Sequence, residues 1–223
     1  NNGQGAPIAS FYHKYLIEKL KLKNSLIINL GGIANITYLD NKKLIAFDVG
    51  PANCLIDDFM LSKFKKKFDK NGRFSTKGLA NMTILKNILD DNFFKKPYPK
   101  SLDRMYFAKY LKKIEKLKNE DAAATLSFLT VLGIKKGLKT LNKKIDKIIL
   151  TGGGRKNMFF FNNLNNFINI KTELIDKYGF NGDFLESQAF GYISIRSVKK
   201  LPLSSPTTTG VNINLTGGKI YNY

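Results

Sequence analysis

Apolar residues recur in three short, β-rich runs near the start of the chain: Leu26–Leu30, Ile36–Leu39 and Leu44–Phe47. Gly31-Gly32 joins the first run to the second, and a polar turn at residues 40–43 joins the second to the third. Short apolar runs separated by glycine or by polar residues are typical of strands joined in hairpins. The pattern therefore predicts a meander of three antiparallel strands.

Downstream, apolar residues at helical spacing predict a series of helices that alternate with two further strands. The predicted helices are a short one with Phe11, Tyr15 and Leu16 on one side, then Asn53–Phe68, Leu79–Leu89, Lys109–Lys118, Ala122–Leu141, one that begins near Lys156, and Phe184–Val198, which Asp183 caps. The predicted strands are Lys147–Leu150, which is buried, and Ile170–Ile175 at a sheet edge. The tail after Leu201 is expected to be irregular and on the surface. Together these elements predict an α/β fold.

Asp48 stands at the end of the third strand, just before Gly50-Pro51 and a helix that opens near Asn53. Glycine lets backbone approach a ligand closely, and a helix N-terminus offers free N–H groups to an anion. A carboxylate beside such a corner can take a proton from a hydroxyl or from water during phosphoryl transfer. A tight strand-to-helix turn, with the aspartate capping backbone N–H groups, has the same sequence pattern. The residues alone leave both interpretations open.

A second glycine-rich stretch, Thr151–Gly154, follows the buried strand and precedes a predicted helix. This order lets a nucleotide lie against bare backbone. The stretch lacks the spacing of a Walker motif and of a dinucleotide-binding motif, so by itself it indicates only a candidate nucleotide site. The single histidine, His13, lies on a predicted helix, where a packed or solvated side chain is commoner than a catalytic one.

Composition narrows the class of protein further. Apolar residues make up 43% of the 223 residues and aromatic residues 12%, which is typical of a folded globular chain. Cys54 is the single cysteine, so an internal disulfide framework is excluded and a reducing compartment is favoured. No apolar run is long enough to span a bilayer and no signal-peptide pattern is present. We therefore expect a cytoplasmic protein without a membrane partner.

The formal net charge of +20 raises the question of a nucleic-acid partner. However, only Arg73, Arg104, Arg155 and Arg196 among the 37 basic residues are arginines. Arginine is the usual residue for bidentate contacts to phosphates and bases, and the lysines are scattered along the chain in pairs. The charge pattern therefore favours a solvated basic surface and no nucleic-acid partner.

The motifs, taken in order, resemble one known family. They are GQGAP at 3–7, the LIINLGGIANITYL strand pair with FDVGPANCLIDD at 47–58, ATL around Thr125, TGGGRKN at 151–157, YGFNGDFLESQAF at 178–190 and LPLSSPTTTGV at 201–211. In this order they are similar to those of anhydro-N-acetylmuramic acid kinases, members of the sugar-kinase/heat-shock-ATPase/actin superfamily. The resemblance extends along nearly the whole chain.

The resemblance implies a fold and a division of the chain. The fold is an α/β, ribonuclease-H-like (actin-like ATPase) domain with a mixed sheet flanked by helices. Residues 1–24 would be a remnant of a first lobe, and residues 25–223 a second lobe whose C-terminal tail returns towards the first. The resemblance also allows a homodimer.

The resemblance further implies an activity, its cofactors and its site residues. Members of the family use water to open the 1,6-anhydro bond of the sugar and use ATP, with Mg²⁺, to phosphorylate the freed O6, a step in the recycling of cell-wall sugars. Carried over, Asp48 is the base, the sugar-binding residues are Gln4, Gly5, Ala6, Pro7 and Glu186, and the nucleotide-binding residues are Gly31, Gly32, Gly152, Gly153, Gly154 and Asn157. No metal-ligating side chain is predicted. Asp57 matches a recurrent family aspartate, whereas Asp58 is expected to favour the helix dipole.

The chain departs from the family pattern in several places. The family's Ser…Gly-Arg-Glu element corresponds to Ser101–Met105 in this chain, where the arginine is kept as Arg104 and the glycine and glutamate are replaced. Elsewhere, Arg155 stands where the family usually has a small residue. The chain opens inside the GQGAP motif without a methionine, and the family's Gly-Thr-Ser-Met-Asp-Gly phosphate loop is not found in it. We therefore expect the 223-residue chain alone to lack kinase activity. The alternatives are another superfamily ATPase or an inactive, lysine-rich binding fragment.

Overall fold

Five strands form one mixed sheet in the computed structural model, which describes residues 1–221. They are β1 (Ser25–Leu30), β2 (Ile33–Asp40), β3 (Lys43–Pro51), β4 (Lys147–Thr151) and β5 (Lys171–Leu174). The sheet order is β3-β2-β1-β4-β5, with β1, β2 and β3 antiparallel neighbours and β4 and β5 parallel to β1. The predicted meander, the α/β class and the ribonuclease-H-like arrangement are thereby confirmed.

Seven α-helices connect or flank the strands of the described residues. They are α1 (Ser10–Lys19), α2 (Asn53–Phe64), α3 (Met82–Leu89), α4 (Asn92–Lys95), α5 (Asn119–Leu141), α6 (Met158–Asn166) and α7 (Leu185–Val198). None of the helices within residues 1–221 is both long enough and apolar enough to cross a membrane.

The two faces of the sheet bury different helices, because strand side chains alternate between faces. On β1, Leu26, Ile28 and Leu30 enter a large core that α2, α3, α5 and α6 cover. Ile27 points the other way, into a smaller core that α1 and α7 cover. The carboxyl ends of β1, β3 and β4 lie together at one end of the sheet, between these two layers of helices.

The longest helix, α5, holds β3 at very short range. A Cβ added at Gly133 would lie 2.7 Å from the backbone oxygen of Val49, and one at Gly137 would lie 2.4 Å from the Val49 side chain. Larger residues at either position would therefore push the helix away from the sheet. Because Val49 directly follows Asp48, this close approach fixes the strand segment that carries the predicted base.

Some predicted helix limits were wrong for local backbone reasons. The helix predicted to reach Phe68 ends at Phe64, because Lys65 takes a left-handed conformation and closes the last turn. The α-helix predicted at Lys109–Lys118 is instead a 3-10 helix from Ala108 to Ile114. Sequence periodicity does not separate these two helix types over so short a segment.

The C-terminal tail is irregular, as predicted, but it does not lie on the surface throughout. Thr208 and Thr209 are buried, and the Ala46 N–H donates to the Thr207 carbonyl at 3.0 Å. The Thr207 hydroxyl donates in turn to the Leu44 carbonyl. The tail therefore covers the outer edge of β3, which would otherwise present unpaired backbone groups.

Residues 1–24 pack against the same body as the rest of the chain. Tyr12, Leu16 and Ile17 of α1 are buried beside Ile27, Leu185 and Ala189. The assignment of residues 1–24 to a first lobe stays a prediction.

Candidate active site

A cavity of about 600 Å³ opens at the edge of the sheet where β1, β3 and β4 end. Its lining includes Gly31, Gly32, Asp48, Gly152 and Gly153, although these residues are far apart in sequence. They meet because β1, β3 and β4 run in the same direction and end at the same sheet edge, which is where ligands bind in open α/β sheets.

A row of polar side chains crosses the sheet at this edge. Register places Thr151 beside Asn29, Asn29 beside Asn35, and Asn35 beside Asp48, so that the four residues share one face across four strands. The sheet register shifts between Ala34 and Asn35, which leaves Val49 as an extra residue on β3. Such β-bulges redirect neighbouring side chains and are frequent beside active sites.

Asp48 is 4% exposed and is held by the segment that follows Pro99. Its backbone N–H donates to the Lys100 carbonyl at 3.0 Å, and its Oδ2 accepts from the Leu102 N–H at 2.7 Å. Burial raises the pKa of Asp48 to about 7, against the lowering effects of the Leu102 hydrogen bond and the Lys100 charge. A carboxyl group with a pKa near neutrality can accept and release a proton under physiological conditions.

The raised pKa predicts that Asp48 makes folding stability depend on pH. The native state binds the Asp48 proton more tightly than the unfolded state, so the native state holds the extra proton between the two pKa values. We expect the free energy of unfolding to fall as pH rises from about 4 to about 7, by up to about 4 kcal/mol from this group. Denaturant unfolding of wild type and Asp48→Asn at several pH values measures the difference. Parallel curves for the two proteins would show that Asp48 titrates at its ordinary pKa.

The segment from Lys100 to Arg104 has a structural role despite its departure from the family pattern. Lys100 is buried, and its Nζ donates to the Phe93 carbonyl at 3.0 Å. Arg104 Nη2 lies 2.7 Å from Asp58 Oδ1, which ties the segment to α2. The segment is therefore anchored on both sides of the Leu102 N–H that holds Asp48.

A second cavity, of about 400 Å³, lies on the other side of the Gly152–Gly154 loop. Its lining includes Gly153, Gly154, Asn157, Asp57 and Asn71. Gly153 lines both cavities. Asn157 caps α6, because its side-chain oxygen accepts from the Phe159 N–H at 3.0 Å. Bare backbone beside a helix N-terminus is suited to an anionic or nucleotide ligand.

Burial also raises the pKa of Asp57, to about 6, and Asp58 adds to the rise. Asp57 lines the second cavity, and its carboxyl is mostly protonated only below about pH 6.

The family model for anhydro-N-acetylmuramic acid kinase matches residues 1–223. The chain belongs to the anhydro-N-acetylmuramic acid kinase family. An anhydro-N-acetylmuramic acid kinase of Rhodopseudomonas palustris is 40% identical over 219 residues, covering 97% of this chain and 59% of that protein. One of Ruegeria sp. is 35% identical over 227 residues, covering 98% of this chain and 60% of that protein. The chain thus spans about 60% of the length of these curated relatives.

Among solved structures, the chain matches the activator of the 2-hydroxyisocaproyl-CoA dehydratase from Clostridium difficile, with bound ADPNP. It is 15% identical, with a TM-score of 0.48, and the match covers 79% of this chain and 62% of that one.

The residues predicted to bind sugar in this family member are placed around the larger cavity, though not all in its lining. Ala6, Pro7 and Glu186 line it. Gln4 and Gly5 lie outside that lining, and Gln4 Oε1 accepts from the Ser101 N–H at 2.5 Å. Gln4 therefore joins the GQGAP loop to the segment that holds Asp48, and its role as a sugar-binding residue stays a prediction.

Arg155 has a role that the family comparison did not suggest. Its guanidinium is buried, with Nε 2.8 Å from Asp176 Oδ2 and Nη2 2.9 Å from Asp183 Oδ1. Arg155 thereby joins the glycine loop to the turn before α7. The prediction that Asp183 caps α7 was wrong, because this carboxylate accepts from Arg155 and Lys156, while Phe184 occupies the cap position.

His13 is packed, which is one of the two structural roles expected for a lone helical histidine. It is buried in the lining of the larger cavity, and its Nδ1 lies 2.9 Å from the Thr37 hydroxyl oxygen. Burial lowers the pKa of His13 to about 4, so the ring is neutral at physiological pH.

Sequence reasoning missed Asn29, Asn35, Lys100 and Leu102 as parts of the site. Asn29 and Asn35 carried a usable signal, because polar residues in otherwise apolar strands near their ends are unusual. Leu102 acts through its backbone N–H, for which no side-chain pattern exists.

Proposed function

We propose that this chain provides the base, the sugar-facing wall and the nucleotide-facing loop of a kinase that converts 1,6-anhydro-N-acetylmuramic acid, water and ATP into N-acetylmuramic acid 6-phosphate and ADP. One observation carries the proposal. Asp48, which is buried and has a pKa near 7, lines the same cavity as Glu186 and Gly153, and Gly153 also lines the second cavity. The residues proposed as base, sugar contact and phosphate-binding loop thus line one cavity, which supports a reaction that depends on positioning.

In the proposed reaction, Asp48 takes one proton from a water molecule while the water oxygen forms a bond to the anomeric carbon. The bond between that carbon and O6 breaks, and its electron pair goes to O6. O6 then bonds to the γ-phosphorus of ATP, the bond from that phosphorus to the bridging oxygen breaks, and ADP leaves. The proton on Asp48 is released to solvent. This chemistry depends on positioning more than on covalent participation by the protein.

ATP fits the residues around the second cavity. Gly153 and Gly154 offer bare backbone and Asn157 opens α6, whereas Gly31, Gly32 and Gly152 line the larger cavity instead. The volume of the second cavity, about 400 Å³, lies within the range of small-ligand sites. Within residues 1–221, no group of three or more His, Cys, Asp or Glu side chains is arranged to hold a metal ion. Mg²⁺ would therefore be held largely by the ATP phosphates, where it screens their charge.

The function is tested by incubating the full-length protein with the anhydro sugar, ATP and Mg²⁺. We expect phosphorus NMR to show a sugar 6-phosphate and ADP in equal amounts, and no phosphorylated product without ATP. Glucose serves as the comparison sugar. Phosphorylation of glucose in place of the anhydro sugar would identify a different sugar kinase and overturn the proposal.

Glu186→Gln should weaken sugar binding more than nucleotide binding. Glu186 lies in the first turn of α7 and lines the larger cavity but not the second one. Loss of a charged hydrogen-bond acceptor for sugar hydroxyls should raise KM for the sugar roughly tenfold to a hundredfold. Steady-state kinetics with each substrate varied in turn measures the two effects. Glu18→Gln, at an exposed position of α1, is the matched control, and equal losses for sugar and ATP would contradict a sugar-binding role.

The proposed reaction places the protein in the cytoplasm, where ATP is available and where the single cysteine, Cys54, stays reduced. Its partner would be a small sugar released from the cell wall, and the reaction would return that sugar to metabolism. A homodimer is compatible with this role.

A further inference from the structure

Within residues 1–221, three buried side-chain atoms have no hydrogen-bond partner in the protein: Ser10 Oγ, Asn35 Oδ1 and Thr209 Oγ1. Only Asn35 among these residues lines the larger cavity. An unpaired buried amide oxygen destabilises a fold, because it has lost its water without gaining a donor. Its presence in the wall of a candidate active site therefore points to a donor that arrives with the ligand.

Asn35 is placed directly beside the proposed base. It is the register partner of Asp48 across β2 and β3, and residues opposite one another in antiparallel strands project to the same face with Cβ atoms about 5 Å apart. Asp48 Oδ2 is already occupied by the Leu102 N–H, so Oδ1 is the oxygen that remains for a ligand. The side chains of Asn35 and Asp48, each with an acceptor oxygen that no protein donor occupies, thus belong to paired residues in the lining of one cavity.

Two neighbouring acceptors match the needs of a water nucleophile. A water molecule has two protons, and a single base controls only one of them, so the molecule can still rotate about that hydrogen bond. A second acceptor removes this rotation and fixes the direction of the oxygen lone pair. A hydroxyl nucleophile would have one proton and would need only the base.

We propose that Asn35 is a catalytic residue whose side-chain oxygen accepts a hydrogen bond from the attacking water while Asp48 accepts the other. The proposal rests on the proposed function, in which water attacks the anomeric carbon. Asn35 takes no proton at any stage. One water proton goes to Asp48, the other stays on the oxygen that becomes the new anomeric hydroxyl, and the leaving O6 takes the electron pair of the broken bond.

Asn35→Leu tests the proposal, because leucine keeps the branched shape and removes the acceptor. We expect kcat to fall roughly tenfold to a hundredfold, with KM for the sugar and for ATP within about twofold of wild type. We also expect Tm to rise by about 2–4 °C, because the buried unpaired oxygen is gone. A residue that only supports the fold would lower Tm and would change kcat no more than a general loss of folded protein does.

Asn35→Asp provides a second readout that depends on the closeness of residues 35 and 48. A carboxylate beside Asp48 favours the protonated form of the base, so the acid limb of the kcat profile should move to higher pH. The other charged or titratable groups near Asp48 are Lys100 behind it and His13, Arg155, Asp183 and Glu186 in the same cavity wall. These groups are the same in every variant, so a shift of the limb reports on position 35.

The outcomes separate this inference from the proposed function. Asn162→Ala, at an exposed position of α6, is the control and should leave both kcat and Tm unchanged. If Asp48→Asn abolishes turnover while Asn35→Leu and Asn35→Asp retain wild-type kcat and pH profile, the second acceptor is refuted and the base stands. If Asp48→Asn retains turnover of the anhydro sugar, the base role of Asp48 and this inference both fail, while the kinase activity itself stands.

Discussion

In the full-length protein, Asp48→Asn should reduce turnover of the anhydro sugar by about 10²–10⁴-fold. The amide keeps the shape of the carboxyl group and can still accept from the Leu102 N–H through its oxygen. It cannot take a proton from water at physiological pH, so the attack on the anomeric carbon loses its base. Nucleotide affinity should stay within about twofold of wild type, because Asp48 lines the larger cavity and not the second cavity, where the nucleotide is proposed to bind.

Two controls make the Asp48 result specific. Asp146→Asn changes an exposed carboxylate whose side chain is 52% accessible, and turnover should be unaffected. Wild-type activity should rise with pH through about 7, because burial places the pKa of Asp48 there and the base must be ionised. Near-normal turnover by Asp48→Asn would mean that the aspartate is only a turn residue, which is the other interpretation that the sequence allowed.

The parts of the site that follow regular strands could be predicted from the sequence. The apolar runs at Leu26–Leu30 and Leu44–Phe47 place Gly31 and Asp48 after strands, and the buried run before Thr151 does the same for Gly152. Strands of one sheet that run in the same direction end at one edge, so bringing these residues together required only the correct topology. The family resemblance supplied that topology.

The contacts that hold Asp48 could not be predicted in this way. The Lys100 carbonyl and the Leu102 N–H are backbone groups in an irregular segment, and any side chain at those positions could present them. Val49, the bulged residue, packs closely against Gly133 and Gly137 of α5, and strand patterns do not encode such a contact over long sequence separation. The irregular tail after Leu201 covers β3 through Thr207, and composition alone does not distinguish such a segment from a surface loop.

Gly152→Ala should unfold the loop after β4, whereas Gly153→Ala should leave the fold intact. Gly152 has a φ of 76° and a ψ of 170°, a conformation that is essentially restricted to glycine. A Cβ there would also lie 2.5 Å from Asn29 Oδ1 and 2.7 Å from the Leu30 carbonyl oxygen. We expect Gly152→Ala to lower the free energy of unfolding by about 3 kcal/mol or more, from backbone strain and overpacking together.

Gly153 differs because a Cβ at this position meets no atom within 4 Å. Gly153→Ala should change stability by less than about 1 kcal/mol, and the change can be favourable because alanine restricts the unfolded chain. The added methyl group would instead project from a residue that lines both cavities, so the affinity for ADP should fall while Tm shifts by less than about 4 °C. Thermal unfolding and calorimetric titration with ADP measure the two effects separately. Equal destabilisation by the two substitutions would show that the loop is a structural turn throughout, and unchanged ADP affinity in Gly153→Ala would place the nucleotide elsewhere.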